Sequence, residues 1–115
     1  MDTRTKIVTP AEAAQLAKGA TVVSGYFDPL VASQALRLSE LKRIGKPLLV
    51  LIANPANPIL PAPARAELVA SLRVVDYVAE ADDSIQPEFR FEQDDDARLA
   101  NLIAHVHTRQ RAAAS

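Results

Sequence analysis

The stretch Ala20-Thr21-Val22-Val23-Ser24-Gly25-Tyr26-Phe27-Asp28-Pro29-Leu30 decides how the rest of the chain is read. Residues Ala20 to Ser24 form a short β-type run of the kind that fits a buried pleated surface. Gly25 to Pro29 breaks it with turn residues. A helical pattern follows from about Leu30 or Val31 to Ile44, with Leu30, Leu36, Leu38, Leu41 and Ile44 as its expected apolar face. Gly45 stands where a helix-terminating glycine is expected. Pro47 to Ala53 is then uninterrupted apolar sequence, the pattern of a parallel strand covered on both faces.

Working outward, Thr9-Pro10-Ala11-Glu12 reads as a helix start, with Thr9 as cap, Pro10 in the first turn and Glu12 closing a capping box. That helix runs to Gly19. On the other side, a loop from Asn54 to Pro61 leads into a helix over about Ala62 to Leu72, with Leu68, Val69 and Leu72 facing inward. Val74 to Val78 is the expected third strand, Ala81 to Pro87 a polar loop, and Phe89-Arg90-Phe91 a short fourth strand. Asp94-Asp95-Asp96 opens a last helix, where acids favour the positive end of the dipole. Leu99, Leu102, Ile103 and Val106 form its stripe, Arg109 and Arg111 end it, and residues 112–115 fray. Strands alternating with helices imply a parallel sheet with right-handed crossovers. The expected fold is a single α/β domain over 1–115, a Rossmann-like three-layer sandwich with three or four parallel strands. Such sheets bind ligands outside the C-terminal ends of their strands, where the Gly25 and Asn54 loops lie.

Bulk properties narrow the function classes. The chain has 115 residues, one domain's worth, and 49% are hydrophobic. It has no Trp and few Phe or Tyr, so its core is aliphatic. Cys is absent, which removes disulfides and thiolate metal sites. The net charge of −1 comes without a basic block, so no nucleic-acid footprint is present. No apolar run approaches the ~20 residues of a membrane helix, and the N-terminal residues do not read as a signal peptide. A cytoplasmic protein without membrane contact is expected.

The region Val22 to Leu41 resembles the signature of the cytidylyltransferase-like nucleotidyltransferases, a strand followed by Gly-x-Phe-Asp-x-x-His-x-Gly-His and a helix. Gly25-Tyr26-Phe27-Asp28-Pro29-Leu30 matches its first half. The runs Leu38 to Gly45 and Arg65 to Val78 are also similar to the family, so the likeness covers roughly residues 20 to 80, with Arg65 and Asp76 at family positions. The resemblance implies a homodimer, and binding of CTP, ATP or a phosphorylated small molecule, with Mg²⁺ accompanying a bound nucleotide. It implies ligand contacts from Gly25, Tyr26, Phe27, Asp28, Ser33, Gln34, Asn54 and Arg65.

Three departures point away from catalysis. The family's two histidines fall on Val31 and Gln34, and its glycine on Ser33. In the family those histidines grip phosphates at a helix N-terminus, where backbone N–H groups and dipole already favour anions. Val31 donates nothing there, and Gln34 donates no charge. Losing one preorganised donor typically costs ~10²–10³ in rate. The Arg-Thr-Glu-Gly-Ile-Ser-Thr type segment that the family brings to the phosphates before the final helix is replaced by Glu92-Gln93-Asp94-Asp95-Asp96, and an acidic residue after the second strand by Asn54-Pro55-Ala56-Asn57-Pro58.

The expected function is therefore a degenerate family member that no longer transfers nucleotidyl groups and retains ligand binding at the Gly25–Leu30 loop. No residue is assigned as catalytic. The alternative is a divergent active enzyme, moving CMP or AMP to a phosphorylated acceptor with Gln34, Ser33 and Arg65 as replacement donors. Gly25 and Asp28 also have structural readings, as a tight-turn glycine and a helix cap. Arg65 reads either as a phosphate contact or as a surface helix residue. Tyr26 either stacks on a base or packs. His105 and His107 are two apart on a helix and do not share a face, and no metal site is expected.

Overall fold

The computed structural model of the chain describes residues 3–92. The expected last helix, with Asp94 to Asp96, His105, His107 and its apolar stripe, lies outside the described residues, as do residues 112–115.

A 3-10 turn at Thr3–Lys6 leads to α1, Pro10–Leu16, which tightens into a second 3-10 turn at Ala17–Gly19. Then come β1 (Thr21–Gly25), α2 (Ala32–Leu41), β2 (Leu48–Ile52), α3 (Ala62–Ala70), β3 (Tyr77–Glu80) and β4 (Phe89–Arg90). All four strands pair in parallel, in the order β3-β2-β1-β4. Thr21 aligns with Leu48 and Gly25 with Ile52, while Ser24 aligns with both Leu51 and Arg90. The fold is a minimal Rossmann-like three-layer α/β sandwich.

Alternation along the strands sorts the core into two layers. Val23, Leu48, Val50, Ile52 and Val78 face α2 and α3, whose Leu38, Ala66, Val69 and Ala70 close over them. Val22, Leu49, Leu51 and Ala79 face the other way, against Ala13 of α1 and Ile85 of the loop after β3. Every residue of β1 and of β2 is buried. Full burial of each Val, Leu or Ile contributes roughly 1.5–3 kcal/mol, so the burial of these two central strands stabilises the sheet.

Several element ends differ from expectation. Thr9 caps α1, its hydroxyl oxygen accepting the Glu12 N–H at 3.2 Å, but the Glu12 carboxylate meets the Thr9 hydroxyl rather than closing the box on the backbone. Helix α2 stops at Leu41, because Lys42 turns extended. Gly45, with φ +77°, serves instead in the turn between Arg43 and Lys46. Ile44 is therefore past the helix and fully exposed, and Leu36 is also exposed. Leu36 lies about 200° around the helix from Leu38, so the two cannot both face the sheet. Leu68 of α3 is exposed for the same reason, while its neighbour Val69 is buried. Strand β3 starts at Tyr77 rather than Val74, because the chain first turns after α3, with Val75 N–H on the Leu72 carbonyl at 3.2 Å.

Asp76 anchors the opening end of β2. One carboxylate oxygen takes the Lys42 ammonium at 2.5 Å and the Leu48 N–H at 2.8 Å. Desolvation pushes the Asp76 carboxyl up, but the Lys42 hydrogen bond, the Leu48 N–H and the charges of Lys42 and Lys6 outweigh it. The pKa is held below the ordinary carboxyl value.

Candidate functional site

The chain leaves β1 by α2 on one face of the sheet and enters β4 from the loop that buries Ile85 on the other. Strand order therefore reverses between β1 and β4, and the crevice beyond their C-terminal ends is where an open parallel sheet offers a ligand site. On the α2 and α3 side of that crevice lie the loops after β1 and β2. On the α1 side lies a cleft at Ser24, Arg90 and Glu92.

The two loops are tied to each other. Asp28 does not cap α2. Its carboxylate accepts the N–H groups of Ile59 and Leu60 at 2.6 and 2.7 Å, bridging from the first loop to the second. Arg65 is neither a surface residue nor turned to solvent, being only 1% exposed. Its Nε donates to the Leu60 carbonyl at 3.0 Å, and one terminal nitrogen donates to the carbonyls of Tyr26 and Ala53 at 3.1 and 2.7 Å. The other donates to Asn54 Oδ1 at 2.8 Å. Asn54 thus holds the guanidinium, and the Tyr26 carbonyl accepts from it. The Tyr26 side chain is half-buried.

Gly25 serves space rather than turn geometry. A Cβ there would lie 2.6 and 2.8 Å from the Phe27 ring and 3.1 Å from Phe91 Cβ. The residue with the positive φ is Phe27, at 47°, fully buried with its ring 5.8 Å from that of Phe91. Phe27 is thus a core residue. Arg37 lies 4.6 Å over the Phe91 ring, a cation–π contact that covers that ring from the α2 side.

At the start of α2, Val31 is the cap residue and offers no side-chain hydrogen bond. Gln34 is buried, and its Oε1 accepts the Val31 N–H at 3.1 Å. Ser33 is exposed on the same turn.

The cleft on the α1 side has a volume of about 400 Å³. Ser24, buried at the end of β1, points its hydroxyl at Glu92, with the two carboxylate oxygens 2.7 and 2.8 Å away. Arg90 reaches the same carboxylate at 3.9 Å and Gln86 Oε1 at 3.2 Å. Asp82 also lines the cleft, its pKa lowered by the backbone N–H and hydroxyl of Ser84. Glu92, the first residue of the acidic segment expected near the ligand, thus does reach the end of β1. The Ser24–Glu92 pair is not among the expected site residues. Its one sequence signal is a polar residue at the last inward position of an apolar strand.

No family model matches the chain, and no curated protein matches it in sequence.

Proposed function

We propose that this chain is a nucleotidyltransferase-like domain that no longer transfers nucleotidyl groups and serves as a small-ligand binding scaffold at the strand-end crevice. The observation that carries the loss of transfer is the internal commitment of the loop groups, and the adjoining cleft of about 400 Å³ is the space left to a small ligand. Asp28, Gln34 and Arg65 stand at positions where the family contacts its ligand. Each makes hydrogen bonds within the protein, to Ile59 and Leu60, to Val31, and to three carbonyls and Asn54. A triphosphate entering there would have to displace bonds that hold the two loops together. The acidic lining of the adjoining cleft also disfavours a polyanion. An active transferase using Gln34, Ser33 and Arg65 fares worse, because Arg65 is 1% and Gln34 7% exposed.

The resemblance also implies a homodimer, and the exposed Leu36 and Leu68 on the α2 and α3 layer support it. The functional test pairs calorimetry with turnover. CTP and ATP are titrated with and without Mg²⁺, and pyrophosphate release is followed with polyol phosphates as acceptors. No release above background is expected. Release that Gln34→Ala abolishes in a folded variant overturns the reading.

A further inference from the structure

A cavity of about 560 Å³ lies at the opposite end of the sheet, between the 3-10 turn at Thr3–Lys6, the exit of α3 and the opening of β3. Its size is in the range that holds a small metabolite. We propose that it binds a phosphate monoester with a compact apolar body, an inference beyond the strand-end reading and independent of it.

The charge balance carries the proposal. Lys6, Arg73 and Asp76 line the cavity. Asp76 is already matched, because its carboxylate takes the Lys42 ammonium and the Leu48 N–H. Lys6 spends one of its three ammonium hydrogens on the Leu72 carbonyl, at 3.1 Å. Arg73 is exposed and makes no hydrogen bond or ion pair among the described residues. Asp76 is thus one carboxylate against three cations, Lys42, Lys6 and Arg73, and the excess of two positive charges at the cavity is what a phosphate dianion balances. An Arg fork and an ammonium are also the side chains that pair with phosphate oxygens.

The remaining lining sets the rest of the ligand. Val75 is buried beside the cavity and Tyr77 is half-buried at its wall. The Tyr77 hydroxyl has no hydrogen-bond partner among the described residues. Ser71 adds no donor, because its hydroxyl already donates to the Leu68 carbonyl at 2.6 Å. An aromatic or short aliphatic body against Val75 and Tyr77, with its phosphate at Lys6 and Arg73, uses each of these groups.

The test is calorimetry on the full chain at low salt with phenyl phosphate, and with inorganic phosphate and benzoate as separate arms. Phenyl phosphate is expected to bind with a Kd below about 1 mM and to weaken as salt rises. Arg73→Gln is expected to weaken it about tenfold or more, the loss of one charge-assisted contact, without moving the thermal midpoint, since Arg73 has no partner to lose among the described residues. Arg90→Gln, at the other end of the sheet, is expected to leave the affinity unchanged. No binding at millimolar phenyl phosphate overturns the proposal, as does an unchanged Kd in Arg73→Gln. Equal binding of benzoate overturns the phosphate assignment, and equal binding of inorganic phosphate overturns the apolar body. Loss of binding in Arg90→Gln places the ligand in the strand-end cleft and overturns this site alone.

Discussion

Asp28 and Arg65 hold Leu60 from its two ends. The Asp28 carboxylate accepts the Leu60 N–H at 2.7 Å, and Arg65 Nε donates to the Leu60 carbonyl at 3.0 Å. One residue of the second loop is thereby fixed by an anion from the first loop and a cation from α3. The anion and cation reach each other only through the peptide groups between them. Such fixed loops at the strand ends favour a rigid surface over a closing one.

Arg65→Lys tests this clamp. A lysine retains the charge but replaces a planar fork with a point donor. It cannot serve Leu60, Tyr26, Ala53 and Asn54 together in the same directions. Buried acceptors left without donors cost about 1–3 kcal/mol each, so a loss of roughly 2–4 kcal/mol is expected in urea unfolding. A midpoint equal to that of the parent chain contradicts the clamp.

Gly25→Ala is expected to destabilise by about 1–3 kcal/mol through overpacking. The added methyl meets the Phe27 ring at 2.6 Å, and that ring is buried against Phe91. Pairing Gly25→Ala with Phe27→Leu makes room for the methyl, so the two losses should sum to more than the double variant shows in thermal melts.

Thr21→Val goes the other way. Thr21 is fully buried at the start of β1, and its hydroxyl has no hydrogen-bond partner among the described residues. The isosteric valine removes an unmatched polar group from the core. A gain of about 1 kcal/mol is expected, read as a rise in the denaturation midpoint without a change in slope.

Asp76 makes part of the stability pH-dependent. Its folded pKa lies below the ordinary value of 3.8. The unfolded chain therefore binds the proton more readily, and stability falls as pH falls. The contribution is fully present above the ordinary value and is lost as pH drops from there through the lower folded value. Asp76→Asn should accordingly be less stable than the parent at pH 7, and the gap should close below pH 3.8. A gap that persists unchanged into acid rules out the carboxylate as its source.

Light scattering during size-exclusion chromatography tests the dimer. A species of twice the 12.4 kDa chain mass is expected. Leu36→Glu and Leu68→Glu, at exposed positions, should shift it to the monomer. A single 12.4 kDa species in the parent chain removes the dimer from the reading.

Much of the architecture is legible in the sequence, and for a physical reason. The apolar run that becomes β2 suits a strand buried on both faces. Thr9 and Pro10 start α1 through local hydrogen bonding and a restricted φ. Those are properties of neighbouring residues, and they suffice to imply alternating strands and helices in a parallel sheet. Tertiary contact decided the rest. Val74 and Val75 have strand propensity, yet β3 starts at Tyr77, where the chain regains partners on β2 after turning out of α3. Phe89 and Arg90 pair with β1 rather than β3 because the preceding loop crosses the α1 face and buries Ile85. Helical spacing places Arg65 on the same face as Val69, but only the carbonyls of two distant loops turn a buried guanidinium from a cost into a clamp. Local pattern sets which segments are strands and helices; which polar groups are used up holding the loops, and which remain for a ligand, depends on residues that meet only in the folded chain.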